Sequence, residues 1–195
     1  MRSRDRLSSQ LLLAAKRMTA QTALPTLAEL SFCQYLDTEG TLSSSLQRQI
    51  GIYAIFDQDQ QLRYVGYSRD VYQSLKQHLV RQPQACWWYK LQTVERPSRS
   101  LLENQRQAWI SENPEFSLTP EEEMAWSDAI DAKQTMTSEE LSAYAALNDV
   151  EQTKYLKKIA RRLEAQILQT LEERGVRMEL RFNPKLKEAG LLDLK

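Results

Sequence analysis

Residues 51–79 read GIYAIFDQDQQLRYVGYSRDVYQSLKQHL. Two short runs, 51–56 and 62–67, are rich in β-branched and aromatic residues, and the polar residues 57–61 lie between them. That pattern predicts a β-hairpin with a loop of several residues. Just beyond it, Asp70 is placed to cap a helix whose Val71, Leu75, His78 and Leu79 share one face. The chain has only five glycines, yet Gly51 and Gly66 both fall here, each within two residues of a tyrosine.

Working outward, ACWWYKLQTVE at 85–95 predicts a third strand. SRSLLENQRQAWISEN at 98–113 predicts a second helix, with Leu101, Leu102, Ala108, Trp109 and Ile110 apolar and Pro114 as its stop. Further on, Thr137 and Glu140 have the spacing of a capping box. Leu156, Ile159, Leu163, Ile167 and Leu171 form an apolar stripe on a long helix ending before Gly175. VRMELRF at 176–182 alternates and predicts a further strand. The fold class read from this order is α/β (α+β). It is a small antiparallel three-stranded sheet flanked by helices, with helical N- and C-terminal extensions. The expected organisation is an arm over 1–49, a central domain over 50–118, and an acidic connector with a helical extension over 119–195.

Charge is balanced at 26 basic and 26 acidic residues, which gives no global push toward nucleic acid or membrane. The distribution is uneven. Residues 63–99 hold Arg63, Arg69, Lys76, Arg81, Lys90, Arg96 and Arg99 against Asp70 and Glu95, whereas 112–151 hold eleven acids and the single base Lys133. No segment is apolar for the ~18 residues that a membrane span needs. Cys33 and Cys86 lack CxxC spacing, so a reducing, cytoplasmic setting is expected. His78 is the sole histidine, which excludes a metal site built from several imidazoles. Residues 1–20 carry five basic residues and one acid, a weak likeness to a targeting peptide, and an N-terminal amphipathic helix or arm is the favoured reading.

The tripeptides Gly51-Ile52-Tyr53 and Tyr64-Val65-Gly66, the helix after them, the third strand and the LLEN of the second helix together resemble the GIY-YIG nuclease family, over about 50–117. The likeness is closer to the subgroup found in photosynthetic lineages, which includes the N-terminal domain of some plastid glutaredoxins. No glutaredoxin CGFS motif is present. The resemblance implies metal-assisted phosphodiester hydrolysis, with Mg²⁺ or Mn²⁺ as cofactor. Tyrosine positions or activates the attacking water, an arginine stabilises phosphate charge, and a carboxylate holds the divalent cation. Carried over by position, Tyr53, Tyr64 and His78 are the catalytic candidates and Glu103 is the metal candidate. Gly51 and Gly66 are the motif glycines, which let the backbone pack closely. Arg63, Arg69, Lys76 and Arg81 are the candidates for contacting DNA or RNA.

Two positions depart from the family pattern. Ser74 stands where the resemblance places the arginine, and Ser117 where it places an asparagine. A serine supplies no positive charge, and loss of such a donor costs roughly a hundredfold or more in rate. Each candidate also has a plain structural reading: the tyrosines as cross-strand packing, Glu103 as an exposed helix acid, His78 as a hydrogen-bonded core residue, and Trp87–Tyr89 as strand packing rather than a base-stacking platform. Three functions stay open at this point. One is a degenerate nuclease-like domain with weak, salt-sensitive nucleic-acid binding. The second is an interaction scaffold, with the C-terminal helix as its contact for a protein partner. The third is an active divalent-metal phosphodiester hydrolase.

Overall fold

A computed structural model of the protein describes residues 25–195. The basic N-terminal stretch and its expected helix lie outside the described residues.

The predicted hairpin is β2 (Gly51–Phe56) and β3 (Leu62–Ser68), and the predicted third strand is β4 (Trp88–Thr93). A two-residue strand, β1 (Cys33–Gln34), adds to the far side of β4, so the antiparallel sheet runs β1-β4-β2-β3. Two residues are too few to carry a period, which is why the sequence does not reveal this fourth strand. β2 is central and every one of its residues is buried, as its unbroken apolar run requires. β3 is an edge.

The sheet separates two apolar clusters. On one side Tyr53 and Ile55 pack with Val71, Leu75 and Leu79 of α1 (Val71–Arg81). On the other, Ile52, Ala54 and Phe56 pack with Leu102 and Trp109 of α2 (Arg99–Ser111). The Asp70 side chain caps α1 as expected, accepting from the Gln73 amide, and Ser98 caps α2 by accepting from the Leu101 amide.

The stretch expected as an acidic connector contains a helix, α3 (Pro120–Ser127). Its start is strongly specified, with a Thr119–Glu122 capping box, Pro120 in the first turn, and three glutamates that suit the positive end of the helix. α4 (Ser138–Ala145) carries the anticipated Thr137–Glu140 box, and α5 (Asp149–Glu173) is the long helix. α5 ends before Gly175, which takes the left-handed φ of +85° that closes a helix. Its stripe does not form a free face: Leu156, Ile159, Ile167 and Leu171 are buried in the same cluster as Tyr53 and α1. The Arg174 guanidinium secures this packing by donating to the carbonyls of Pro83 and Cys86, 4.5 Å over the Trp87 ring.

The strand expected at 176–182 does not form. That segment contributes only an isolated bridge, Phe182 to Leu194. Its alternation reflects burial of Val176 and Phe182 against α5's cluster, and the Arg177 amide bonds to the Gly40 carbonyl in a loop rather than to a strand. The chain end instead supplies β6 (Leu191–Leu192), which pairs with β5 (Ile130–Asp131).

Candidate functional site

The Tyr53 hydroxyl lies 2.9 Å from Nε2 of His78, and both residues are buried. Nδ1 of His78 lies 3.0 Å from the backbone carbonyl oxygen of Trp126. A carbonyl can only accept, so Nδ1 carries the proton and Nε2 receives the Tyr53 O–H. Burial, then the neighbouring Arg81 charge, lowers the His78 pKa from 6.5 to about 3. Burial, reinforced by Tyr64, pushes the Tyr53 pKa well above the usual phenol range. Neither group gains or loses a proton near neutral pH. The pair is a fixed neutral hydrogen bond.

Tyr64 sits beside this pair, its ring centroid 6.5 Å from that of Tyr53 and 4.7 Å from the His78 ring. Its other side is taken by Trp126 of α3, stacked at 5.1 Å with a 16° angle between planes. Trp126 is 5% exposed. The connector thus lies on the motif tyrosine.

The two motif glycines have distinct reasons. A Cβ at Gly66 would come 2.6 Å from the Tyr64 ring and 3.1 Å from the Tyr53 hydroxyl. A Cβ at Gly51 would come 2.5 Å from the Gln92 carbonyl oxygen on β4. Gly66 makes room for the tyrosines and Gly51 for the neighbouring strand.

Ser74 holds no cation in place; its hydroxyl bonds to that of Ser68 at 2.8 Å. Seven residues further on the same helix, hence two turns on and on the same face, is Arg81. Its guanidinium donates to the Trp126 carbonyl (2.9 Å) and to Asp193 (2.9 Å), and its side chain is 7% exposed. Its charge eases ionisation of both tyrosines but is outweighed by their burial. Of the other basic candidates, Arg63 pairs with Asp57 at 2.6 Å. Arg69 is exposed and Lys76 half-buried, and neither has an ion-pair partner among the described residues.

Glu103 comes from α2, on the opposite layer from Tyr53, and meets Tyr64 only around the β3 edge. There a cavity of about 250 Å³ is lined by Tyr64, Gly66, Tyr67, Glu103, Arg106 and Glu123. Arg106 dominates it. Its Nε donates to the Val65 carbonyl on the edge strand at 3.0 Å, and its terminal nitrogens reach Glu123 of α3 at 2.8 Å and Glu103 at 3.5 Å. Gln107 donates to Glu103 at 2.9 Å. These hydrogen bonds, from Gln107 first, and the Arg106 charge hold the Glu103 carboxyl below its ordinary range.

This donor set does not fit a resident divalent cation. The Arg106 guanidinium already pairs with the Glu103 carboxylate at 3.5 Å and with Glu123 at 2.8 Å, so it occupies the side of Glu103 that a cation would need, and no group of three or more His, Cys, Asp or Glu side chains able to hold a metal occurs among the described residues. Exposed Ser117 lies instead in a groove with Phe56, Arg63 and Glu112.

Sequence reasoning missed Trp126, Glu123 and Arg106. Trp126 is the only aromatic residue between 117 and 143, and Arg106 follows Glu103 by one turn. Both signals become meaningful only once α3 is known to fold back.

The family model described as the GIY-YIG catalytic domain matches residues 49–90, which include Gly51, Tyr53, Tyr64, Gly66, Ser74 and His78 but end before Glu103. The chain is also 33% identical over 73 residues to the bifunctional monothiol glutaredoxin-S16, chloroplastic, of Arabidopsis thaliana. That similarity covers 37% of this chain and only 25% of the plant protein. No helix among the described residues is long and apolar enough to cross a membrane. Residues 49–90 thus match the GIY-YIG catalytic domain, and the chain spans about a quarter of the length of the plastid glutaredoxin it is similar to.

Proposed function

We propose that this protein is a degenerate GIY-YIG domain, silent in phosphodiester hydrolysis, whose motif face is closed by its own connector. The observation that carries the reading is Trp126. Its ring covers Tyr64 and its carbonyl takes the proton-bearing nitrogen of His78 together with Arg81. A tyrosine that activates water must meet water. Here the Tyr53 hydroxyl is spent on His78 in a buried site. Ser74 provides no charge to a phosphate, and Arg106, shared with Glu123, stands at Glu103 where a metal would sit.

The proposed organisation keeps the divisions after residues 49 and 118, with the third part serving as cover to the second. Any nucleic-acid contact in this closed state is weak and salt-sensitive, because Arg63 is paired with Asp57 and Arg81 with Asp193, and of the four basic candidates Arg69 and Lys76 have no ion-pair partner among the described residues. The chloroplastic designation of the relative favours a plastid-type setting over the cytoplasm first expected.

The test is a cleavage assay on single- and double-stranded DNA and RNA with Mg²⁺ or Mn²⁺. Wild type should match Glu103→Ala, with no cleavage above background. Robust wild-type cleavage that Glu103→Ala abolishes would overturn the reading in favour of an active hydrolase.

A further inference from the structure

We infer that Lys90 anchors a second site, on the layer of the sheet opposite the tyrosines, which takes a small carboxylic acid with an apolar body. The site is separate from the motif face, and it stands or falls independently of the closed reading above.

Lys90 pairs with Ala54 across β4 and β2, and residues paired across a ladder share a face, so its side chain enters the α2 layer. It is 8% exposed. Its ammonium donates to the Leu27 carbonyl at 3.0 Å. It stands 4.3 Å from the centre of the Phe32 ring and 5.7 Å from that of Phe56. An ammonium has three donors, so one oxygen leaves two of them to ring faces and the space beside them. No carboxylate among the described residues pairs with it. A buried cation without a counter-charge is costly, and burial accordingly draws the Lys90 pKa down. Holding the Leu27 carbonyl does not require that charge. The nearby Pro25 carbonyl is held by two neutral donors, Gln105 Nε2 at 2.9 Å and Trp109 Nε1 at 3.0 Å.

Lys90 lines a cavity of about 520 Å³, together with Leu27, Phe32, Phe56, Glu112 and Asn113. That volume lies within the range of small-molecule sites, and an apolar wall with one placed charge is their usual chemistry. Phe32 is 37% exposed, an aromatic ring in contact with both the buried cation and solvent. The Glu112 carboxylate is engaged elsewhere, accepting from the Leu27 amide at 2.7 Å and the Ala28 amide at 3.4 Å. The donors left on Lys90 call for an anionic acceptor, and the rings beside it for an apolar body. A single positive charge matches a monoanion. A phosphate dianion would bring surplus negative charge beside Glu112 and would leave the rings uncovered. A carboxylic acid with a hydrocarbon or aryl body meets both demands.

The experiment is isothermal titration of the full chain with 3-phenylpropanoate and with its uncharged amide, 3-phenylpropanamide. The acid should bind saturably at millimolar concentration or below. The amide should bind about tenfold more weakly, the value of one charge-assisted hydrogen bond. Lys90→Met keeps an apolar stem and removes the ammonium. It should lower the affinity for the acid to that for the amide and leave the amide unchanged. Phe32→Ala should weaken both several-fold, and inorganic phosphate should not compete. The inference is overturned if the acid does not saturate, if acid and amide bind wild type equally, if Lys90→Met retains the affinity for the acid, or if phosphate displaces it. The comparison of acid with amide uses the wild-type chain, so it decides the matter even if Lys90→Met fails to fold. Neither outcome bears on cleavage, which tests the closed reading alone.

Discussion

Gly66 stands directly opposite Tyr53 across β2 and β3, and the Tyr53 ring and hydroxyl, with the Tyr64 ring closer still, fill the space that a side chain at 66 would need. The motif glycine and motif tyrosine are thus one packing unit, whatever chemistry the family performs with them. Gly66→Ala should destabilise the protein by about 1–3 kcal/mol, the usual cost of overpacking a filled core. Urea denaturation measures this. A loss near zero would mean that the two tyrosine rings shift freely.

Tyr53→Phe tests the other end of the same unit. It keeps the ring but leaves His78 Nε2 as a buried acceptor without a donor. The expected loss is about 1–3 kcal/mol. A neutral result would show that the hydroxyl contributes no net stability, and with it the pinned geometry of His78 would be in doubt.

His78 gives a pH dependence whose sign is fixed. Its folded pKa, about 3, lies below its ordinary value of 6.5. Between those values the unfolded chain binds a proton that the folded one refuses. The stabilisation is full above pH 6.5 and falls as pH drops toward 3, at up to about 1.4 kcal/mol per unit. Because His78 is the only histidine, the decline between pH 6.5 and 5 belongs chiefly to it. Denaturation at pH 7, 6 and 5 should show the slope in wild type and a clearly smaller one in His78→Gln. Equal slopes would exclude His78 as its source.

Much of this fold is legible in the sequence. The hairpin follows from two β-rich runs around 57–61, α1 from Asp70 and the Val71–Leu75–Leu79 face, and α4 from its capping box. These are local patterns with local causes. What the sequence withholds is long-range. The alternation at 176–182 reads as a strand because burial against a helix can mimic the two-residue period, and only the absence of a neighbouring strand distinguishes them. The candidate site divides in the same way. Tyr53, Tyr64 and His78 come together from one contiguous segment, but Glu103 reaches them around a sheet edge, and Trp126 arrives 48 residues after its His78 partner. An acidic stretch looks solvated until a single aromatic residue in it is seen to be buried.

That cover decides the last prediction. If the serine at position 74 were the sole defect, Ser74→Arg would restore metal-dependent cleavage. Three further obstacles stand in the way. Trp126 occupies the face of Tyr64, Arg106 pairs with Glu103, and the Tyr53 hydroxyl is committed to His78. One new guanidinium on α1 removes none of these. Ser74→Arg should therefore remain inactive toward single- and double-stranded substrates in Mg²⁺ or Mn²⁺. The same change combined with Trp126→Ala and Arg106→Gln frees the carboxylate and uncovers Tyr64, which becomes the one exposed motif hydroxyl while Tyr53 stays bonded to His78. This is the variant in which slow cleavage should emerge, and Glu103→Ala should then abolish it, since hydrolysis by the family route needs the metal. Cleavage by Ser74→Arg alone, lost on adding Glu103→Ala, would show that the cover opens readily and that the missing charge was the whole defect.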